Sequence, residues 1–239
     1  MKTLIQDLRY SIRQLRKSPG FTAVAVLTLA LGIGATTAIF SVVNAVLIRP
    51  LSYEEADQVV RVRGTFAETG DEFGTISLPN FRDLQEQTSG AAGSSSVFEV
   101  MAAQHGWQPI LLGSGEPERL EGASVTADWF TVLGVRPALG RFFLPQEDGP
   151  GASRSVVLGH GFWNRRFGAD PAVLGRSLEL GGESYTVVGV APPFDDPRLR
   201  LSQPEIWRVS PSYFAEMGRG GRSFMVIARL GPNVPLERA

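Results

Sequence analysis

The side chains able to do chemistry are few and scattered. His105 and His160 are the two histidines of the 239-residue chain, which has no cysteine, so the usual nitrogen and sulfur ligands of a zinc site are too sparse to form one. Adjacent carboxylates occur at Glu147-Asp148 and Asp195-Asp196, an arrangement that could pair a general acid with a general base. Both pairs lie beside glycine or proline in loop-like sequence and read as solvated turns. His160 opens a helical stretch beside Phe162 and Trp163, the setting of a packing or capping residue. A G-x-S-x-G elbow, a G-x-x-x-x-G-K-[ST] phosphate loop and a G-x-G-x-x-G fingerprint are absent, and Gly32-Ile33-Gly34 lies in an apolar run without the third glycine. No catalytic, cofactor-binding or metal-binding residue is assigned, and neither an enzyme nor a cofactor is expected.

That leaves the elements themselves, and the dominant one is the uncharged run Phe21 to Ile48. A helix rises about 1.5 Å per residue and the hydrocarbon core is about 30 Å thick, so roughly twenty apolar residues span it. A cleaved signal core is only about 7 to 15 residues long and ends at a small-x-small site, so this run reads as an uncleaved transmembrane helix. Residues 1–20 carry Lys2, Arg9, Arg13, Arg16 and Lys17 against Asp7, whereas Arg49 is followed by Glu54, Glu55 and Asp57. The positive-inside rule places the N-terminus in the cytoplasm and residues 49–239 outside. The outer part has 18 arginines, no lysine and 23 acidic residues, a formal charge of −5 that offers nucleic acid nothing. Its 191 residues suffice for a core without disulfides, as one domain or two small lobes.

Two surfaces of the membrane part are patterned. Leu4, Ile5, Leu8, Ile12 and Leu15 fall at helical spacing with Arg9, Arg13, Arg16 and Lys17 on the other faces, which makes residues 1–20 an amphipathic basic helix for the cytoplasmic lipid surface. Ser18-Pro19-Gly20 is expected to break it from the span. Within residues 21–48, Ala30, Gly34 and Ala38 recur every four positions, and Ser41 and Ala45 extend the stripe. Small faces let helix backbones approach closely in lipid, so partner helices are expected there. Gly32, Thr36, Thr37 and Asn44 add polarity. No second run in the chain is long enough to span.

The outer part alternates strand and helix signals. Gln58–Arg63, Val97–Gln104, Gln108–Leu112, Glu118–Ser124, Ser155–Leu158, Pro204–Val209 and Arg222–Leu230 read as strands, and Asn80–Gln87, Ala127–Leu133 and His160–Phe167 as helices. Arg176–Leu180 and Glu183–Val190 flank Gly181-Gly182 as a hairpin. The breakers between Gly134 and Pro150 predict ordered loop, and Asp195–Gln203 with Gly218, Gly220 and Gly221 predict mobile rims. Trp129, Phe130, Phe142, Phe143, Phe162, Trp163 and Trp207 are spaced as core residues. The fold class is one N-terminal transmembrane helix followed by a mixed, mainly antiparallel α+β extracytoplasmic domain.

Several segments carry a family resemblance. DLRYSIRQLRKSPGFTAVAVLTLALGIGATTAIFSVVNAVLIRPL resembles the first span of FtsX-like and MacB-like ABC transporter permeases, most closely the duplicated permeases of acidobacteria that lack a fused ATPase. SLPNFRDLQEQ, VTADWFTVLGVRPALGRFFLPQED, VVLGHGFWNRRFGADPAVLGRSLELGGESYTVVGV and VIARLGPNVPLERA resemble the MacB-like periplasmic core domain. Thr36 stands where such spans are expected to carry Asn.

The resemblance implies a membrane subunit of an export or mechanotransmission system in the bacterial inner membrane, working with a separate cytoplasmic ATPase and further permease helices. Leu8, Ile12, Leu15 and Arg16 would lie near the ATPase, Ala30, Gly34, Ala38, Ser41 and Ala45 would pack on other spans, and Arg49-Pro50 would form the rigid exit. Relatives continue past a segment like Arg229–Ala239 into more outer elements and spans. The chain is therefore expected to be a truncated gene, a fragment or a split subunit. The competing readings are a single-pass, membrane-anchored binding or regulatory module without transport activity and an anchored extracytoplasmic hydrolase, which would need a catalytic constellation the sequence does not show.

Overall fold

The computed structural model describes residues 13, 15–43, 55–65, 70, 72–89, 97–113, 116–148, 154–194, 203–209, 218–232 and 234–236. The chain divides into two compact units, Met1–Pro50 and Leu51–Ala239.

In the first unit, helix α1 (Pro19–Val43) runs for 25 residues without a charge. At 1.5 Å per residue it is about 38 Å long, more than the ~30 Å of a hydrocarbon core. Its start corrects the expected break: Pro19 and Gly20 are helical, and of the Ser-Pro-Gly triplet Ser18 alone is not. Proline fits the first turn because the N–H it lacks would have no partner within the helix. The Thr22 hydroxyl bridges the junction, donating to the Ser18 carbonyl at 3.0 Å and the Leu15 carbonyl at 2.7 Å. Leu8, Ile12, Asn44, Ala45, Arg49 and Pro50 lie outside the described residues.

The second unit begins with a 3-10 turn at Ala56–Gln58 and strand β1 (Val59–Val62). A small antiparallel ribbon, β2 (Gly64–Thr65) with β3 (Glu72–Phe73), precedes β4 (Ile76–Ser77) and helix α2 (Leu78–Ser89). Strands β5 (Phe98–Trp107), β6 (Ile110–Leu112), β7 (Glu118–Arg119) and β8 (Gly122–Val125) lead to the short helix α3 (Trp129–Leu133). After β9 (Leu139–Gly140) and a 3-10 turn at Pro145–Glu147 come β10 (Ser155–Leu158) and helix α4 (His160–Phe167). A third 3-10 turn at Pro171–Val173 precedes β11 (Ser177–Leu180), β12 (Glu183–Val190), β13 (Ile206–Val209) and β14 (Arg222–Leu230).

Among the described residues one sheet takes the order β1-β14-β5-β8-β13-β10-β12-β11-β6-β7, with β4 also on β14 and β9 also on β12. Pairing is antiparallel except for β8 with β13 and β10 with β12. The sheet is apolar on both faces because alternate strand residues serve different helices. Val157, Trp207 and Ile227 pack with Trp129, Phe130, Val132 and Leu133 of α3. Val156, Leu158 and Ile206 point the other way and pack with Phe162 of α4. Phe224, Val226 and Ala228 likewise meet Phe81 of α2. The sheet is thus sandwiched, with α3 on one face and α2 and α4 toward opposite ends of the other.

The hairpin β11–β12 forms where expected, with Gly181 and Gly182 at φ 60° and 83°, conformations a two-residue turn requires and other residues resist. Residues 118–124 depart from the expected single strand. Leu120 donates its N–H to the Pro109 carbonyl, and the segment splits into β7, which pairs with β6, and β8, which pairs with β5 and β13. The expected loop after Gly134 is ordered, but it contains β9, whose approach to β12 leaves no side-chain room at Gly189. A Cβ there would stand 2.0 Å from the Arg141 carbonyl oxygen. Of the expected rims, residues 195–202 lie outside the described residues.

Candidate functional site

The surface of α1 is apolar and open within its unit. Leu27, Leu29, Leu31, Ile33, Ile39 and Phe40 are all exposed, as are Leu15 and Arg16 in the helical residues before Ser18. At 100° per residue, Ala30, Gly34, Ala38 and Ser41 fall within a sector of about 80°, so the small residues form one continuous stripe. The hydroxyls follow a separate logic. Thr28 donates to the Val24 carbonyl at 2.9 Å, Thr36 to Gly32 at 2.8 Å and Ser41 to Thr37 at 2.7 Å. Each hydroxyl is satisfied by its own helix, so the polarity of Thr36 and Ser41 does not itself call for a partner. What remains for a neighbour is the shape of the stripe.

In the outer unit, Glu147 is no solvated turn residue. Only 8% exposed, it collects four hydrogen bonds: two from the Arg141 guanidinium at 2.8 and 3.1 Å, one from the Leu144 N–H at 2.7 Å and one from the Ser155 hydroxyl at 2.5 Å. Burial alone would raise its pKa, but these donors outweigh it and hold the carboxyl below the usual glutamate range. The carboxylate fastens the loop after β9 to the first residue of β10. Asp148 extends the clasp, accepting the Ala127 N–H at 3.3 Å just before α3. Asp148 is an exposed residue, yet the protein around its carboxyl pushes it up to about 6 through desolvation; Asp128 adds repulsion, while the Ala127 N–H and Arg82 oppose the shift. Burial also raises Asp128. Asp195 and Asp196 lie outside the described residues.

Arginines that sequence reading passed over organise the sheet surface. Arg208 on β13 donates from Nε to the Ser124 hydroxyl at 2.9 Å and from Nη1 to the Tyr185 hydroxyl at 2.8 Å, with its guanidinium 4.2 Å from the centre of the Trp107 ring. The signal was available in the strand alternation, since Trp207 pointing into one core turns Arg208 toward the opposite face. Arg165 on α4 joins Glu118 before β8 and Glu205 before β13. His160 stacks edge-on against Trp163 and meets Asn164 at 3.1 Å, a packing role. Trp129, Phe130, Phe143, Phe162 and Trp207 are buried, and Phe142 and Trp163 pack at the edge of the cores. Among the described residues no three histidine, aspartate or glutamate side chains converge as metal ligands. These clusters brace one element of the outer unit against another.

The sequence comparison decides the family, since residues 22–239 match the MacB-like periplasmic core domain. The chain belongs to that family. A comparison with curated proteins finds no match. Among solved structures, the periplasmic region of MacB from Actinobacillus actinomycetemcomitans aligns with 13% identity and a TM-score of 0.53, covering 76% of this chain and 78% of that one. A domain described as part of a permease protein from Porphyromonas gingivalis aligns with 16% identity and a TM-score of 0.53, covering 78% of this chain and 81% of that one. At these identities the likeness is one of fold, and it agrees with the helix-braced, mainly antiparallel sheet. The MacB-like domain is the extracytoplasmic part of ABC-type transporter permeases, and here it follows a helix long and apolar enough to cross a membrane.

Proposed function

We propose that this chain acts as a membrane subunit, or part of one, of an ABC-type export or mechanotransmission system, linking a separate cytoplasmic ATPase to the extracytoplasmic MacB-like domain. The observation that carries the reading is the joining, in one chain, of a helix long and apolar enough to span to a MacB-like domain. The basic residues before the helix favour a cytoplasmic N-terminus. On this reading Leu8, Ile12, Leu15 and Arg16 face the ATPase at the lipid surface, and the stripe Ala30, Gly34, Ala38, Ser41 and Ala45 packs on other permease helices. Arg49-Pro50 passes movement outward, and residues 49–239 form the outer domain. The test is co-expression with an ABC ATPase encoded beside the gene, followed by co-purification and spin-label distances between residue 40 and the outer domain. ATP binding should change those distances by several ångströms; a stable complex whose distances do not respond rules out coupling.

The second reading, a single-pass anchored binding or regulatory module, is favoured by one observation. The hydroxyls of Thr28, Thr36 and Ser41 are satisfied within the span, so these three leave nothing that another helix must complete. Self-association of the chain, with no capture of permease helices or ATPase, would select that reading.

A further inference from the structure

We infer that the Arg229 guanidinium is a coupling latch between the segment leading into the outer domain and helix α3. Arg229 is the one basic side chain among the described residues that is buried, at 7% exposure. Its Nε donates to the Val132 carbonyl at 3.1 Å, in the last turn of α3, where orphan carbonyls and the helix dipole favour a cation. Its Nη1 stands 3.7 Å from a carboxylate oxygen of Glu55, whose side chain is 67% exposed and which precedes the 3-10 turn leading into β1. One planar group therefore touches two elements far apart in sequence.

The surroundings make this arrangement a latch rather than a chance surface pair. Glu55 adopts φ 52° and ψ 42°, a left-handed conformation that non-glycine residues visit only when held there. Its carbonyl accepts the Gln58 N–H at 2.9 Å, so the strained residue heads the 3-10 turn. Val59, which ends that lead-in, lies opposite Arg229 in the β1–β14 register and is buried in the core that contains Val132. Ala56 packs against the same core. The lead-in thus meets the α3 core through a charge, a strand pairing and apolar packing, all centred on Arg229. Displacing residues 55–59 pulls on the guanidinium, and the guanidinium holds the α3 carbonyl.

The mechanical meaning of the latch rests on the reading given above, but the coupling is measured without any ATPase, so the two can fail separately. Hydrogen exchange is followed on the full chain in lipid nanodiscs for wild type, Glu55→Gln, Arg229→Lys and, as a control, Glu72→Gln, which breaks the exposed Arg63–Glu72 pair. Glu55→Gln should speed exchange about fivefold both in residues 55–59 and at the amides of Val132, Gly134 and Val135. Arg229→Lys, which cannot reach both partners with the same fork, should do the same, while Glu72→Gln should leave α3 at the wild-type rate. Faster exchange confined to residues 55–59, no change in either segment, or acceleration spread equally to β10 and β12 would overturn the inference.

Discussion

The buried carboxylate of Glu147 accepts two hydrogen bonds from Arg141, whose own side chain is 43% exposed. The pair is therefore unequal: without its partner the arginine can turn to water, but the glutamate cannot. Arg141→Met should destabilise the outer domain by about 2–3 kcal/mol in denaturant unfolding, and Glu147→Gln by about 1–2 kcal/mol. Because the folded pKa of Glu147 lies below its unfolded value, its contribution is present above the unfolded pKa of about 4.3 and is lost as pH falls through the folded one. Unfolding midpoints of wild type and Glu147→Gln should therefore converge in acid.

Asp148 should titrate the opposite way. Its carboxyl is held up to about 6, so between its unfolded value near 4 and that point the folded chain binds more protons than the unfolded one. Its contribution to stability falls as pH rises through that window, and Asp148→Asn should flatten the slope. Carboxyl NMR should find Asp148 titrating near 6, and Asp128→Asn should lower it by relieving repulsion; a value near 4 in wild type would contradict the geometry.

Gly189→Ala puts a methyl carbon 2.0 Å from the Arg141 carbonyl oxygen, and the obstacle is backbone. Strand β9 would have to leave β12. A loss of about 2–3 kcal/mol is expected, with faster exchange at Ala138 and Arg141, whose N–H groups bond Val190 and Val188.

On α1, Gly34→Leu fills the proposed packing stripe, whereas Ile33→Leu changes a neighbouring face. Energy transfer between labelled helices in vesicles should fall about tenfold in association constant for Gly34→Leu and stay level for Ile33→Leu. Equal behaviour of the two variants would count against packing through the stripe.

Much of the fold was legible because local rules and tertiary demands agreed. Residues 177–190 alternate around Gly181-Gly182, and the burial pattern of β11 repeats that alternation. Ser155–Leu158 and His160–Phe167 were readable as a strand and helix because Gly159 and Gly168 bound the helix. The break at Leu120 was hidden, since the split depends on which distant strands β7 and β8 join. The β8–β13 and β10–β12 parallel pairs were equally beyond reach, because nothing local records a partner across the sheet. Glu147 was misread for a different reason. An acidic residue among breakers usually faces water, and only its neighbours Arg141 and Ser155, brought around by a turn, make burial affordable. On α1 the spacing revealed the stripe but not the inward bonding of the hydroxyls, which depends on rotamers.

The position of β14 bears on when the domain can fold. That strand sits between β1 and β5, although more than a hundred residues separate it in sequence from both. Among the described residues, β1 has no other ladder partner and one edge of β5 stays bare until β14 has emerged. Closure of this part of the sheet therefore waits for β14 and spans long loops, which predicts slow folding. A nascent chain held in that interval exposes strand edges to its neighbours, so its yield in the cell should depend on how quickly β14 arrives.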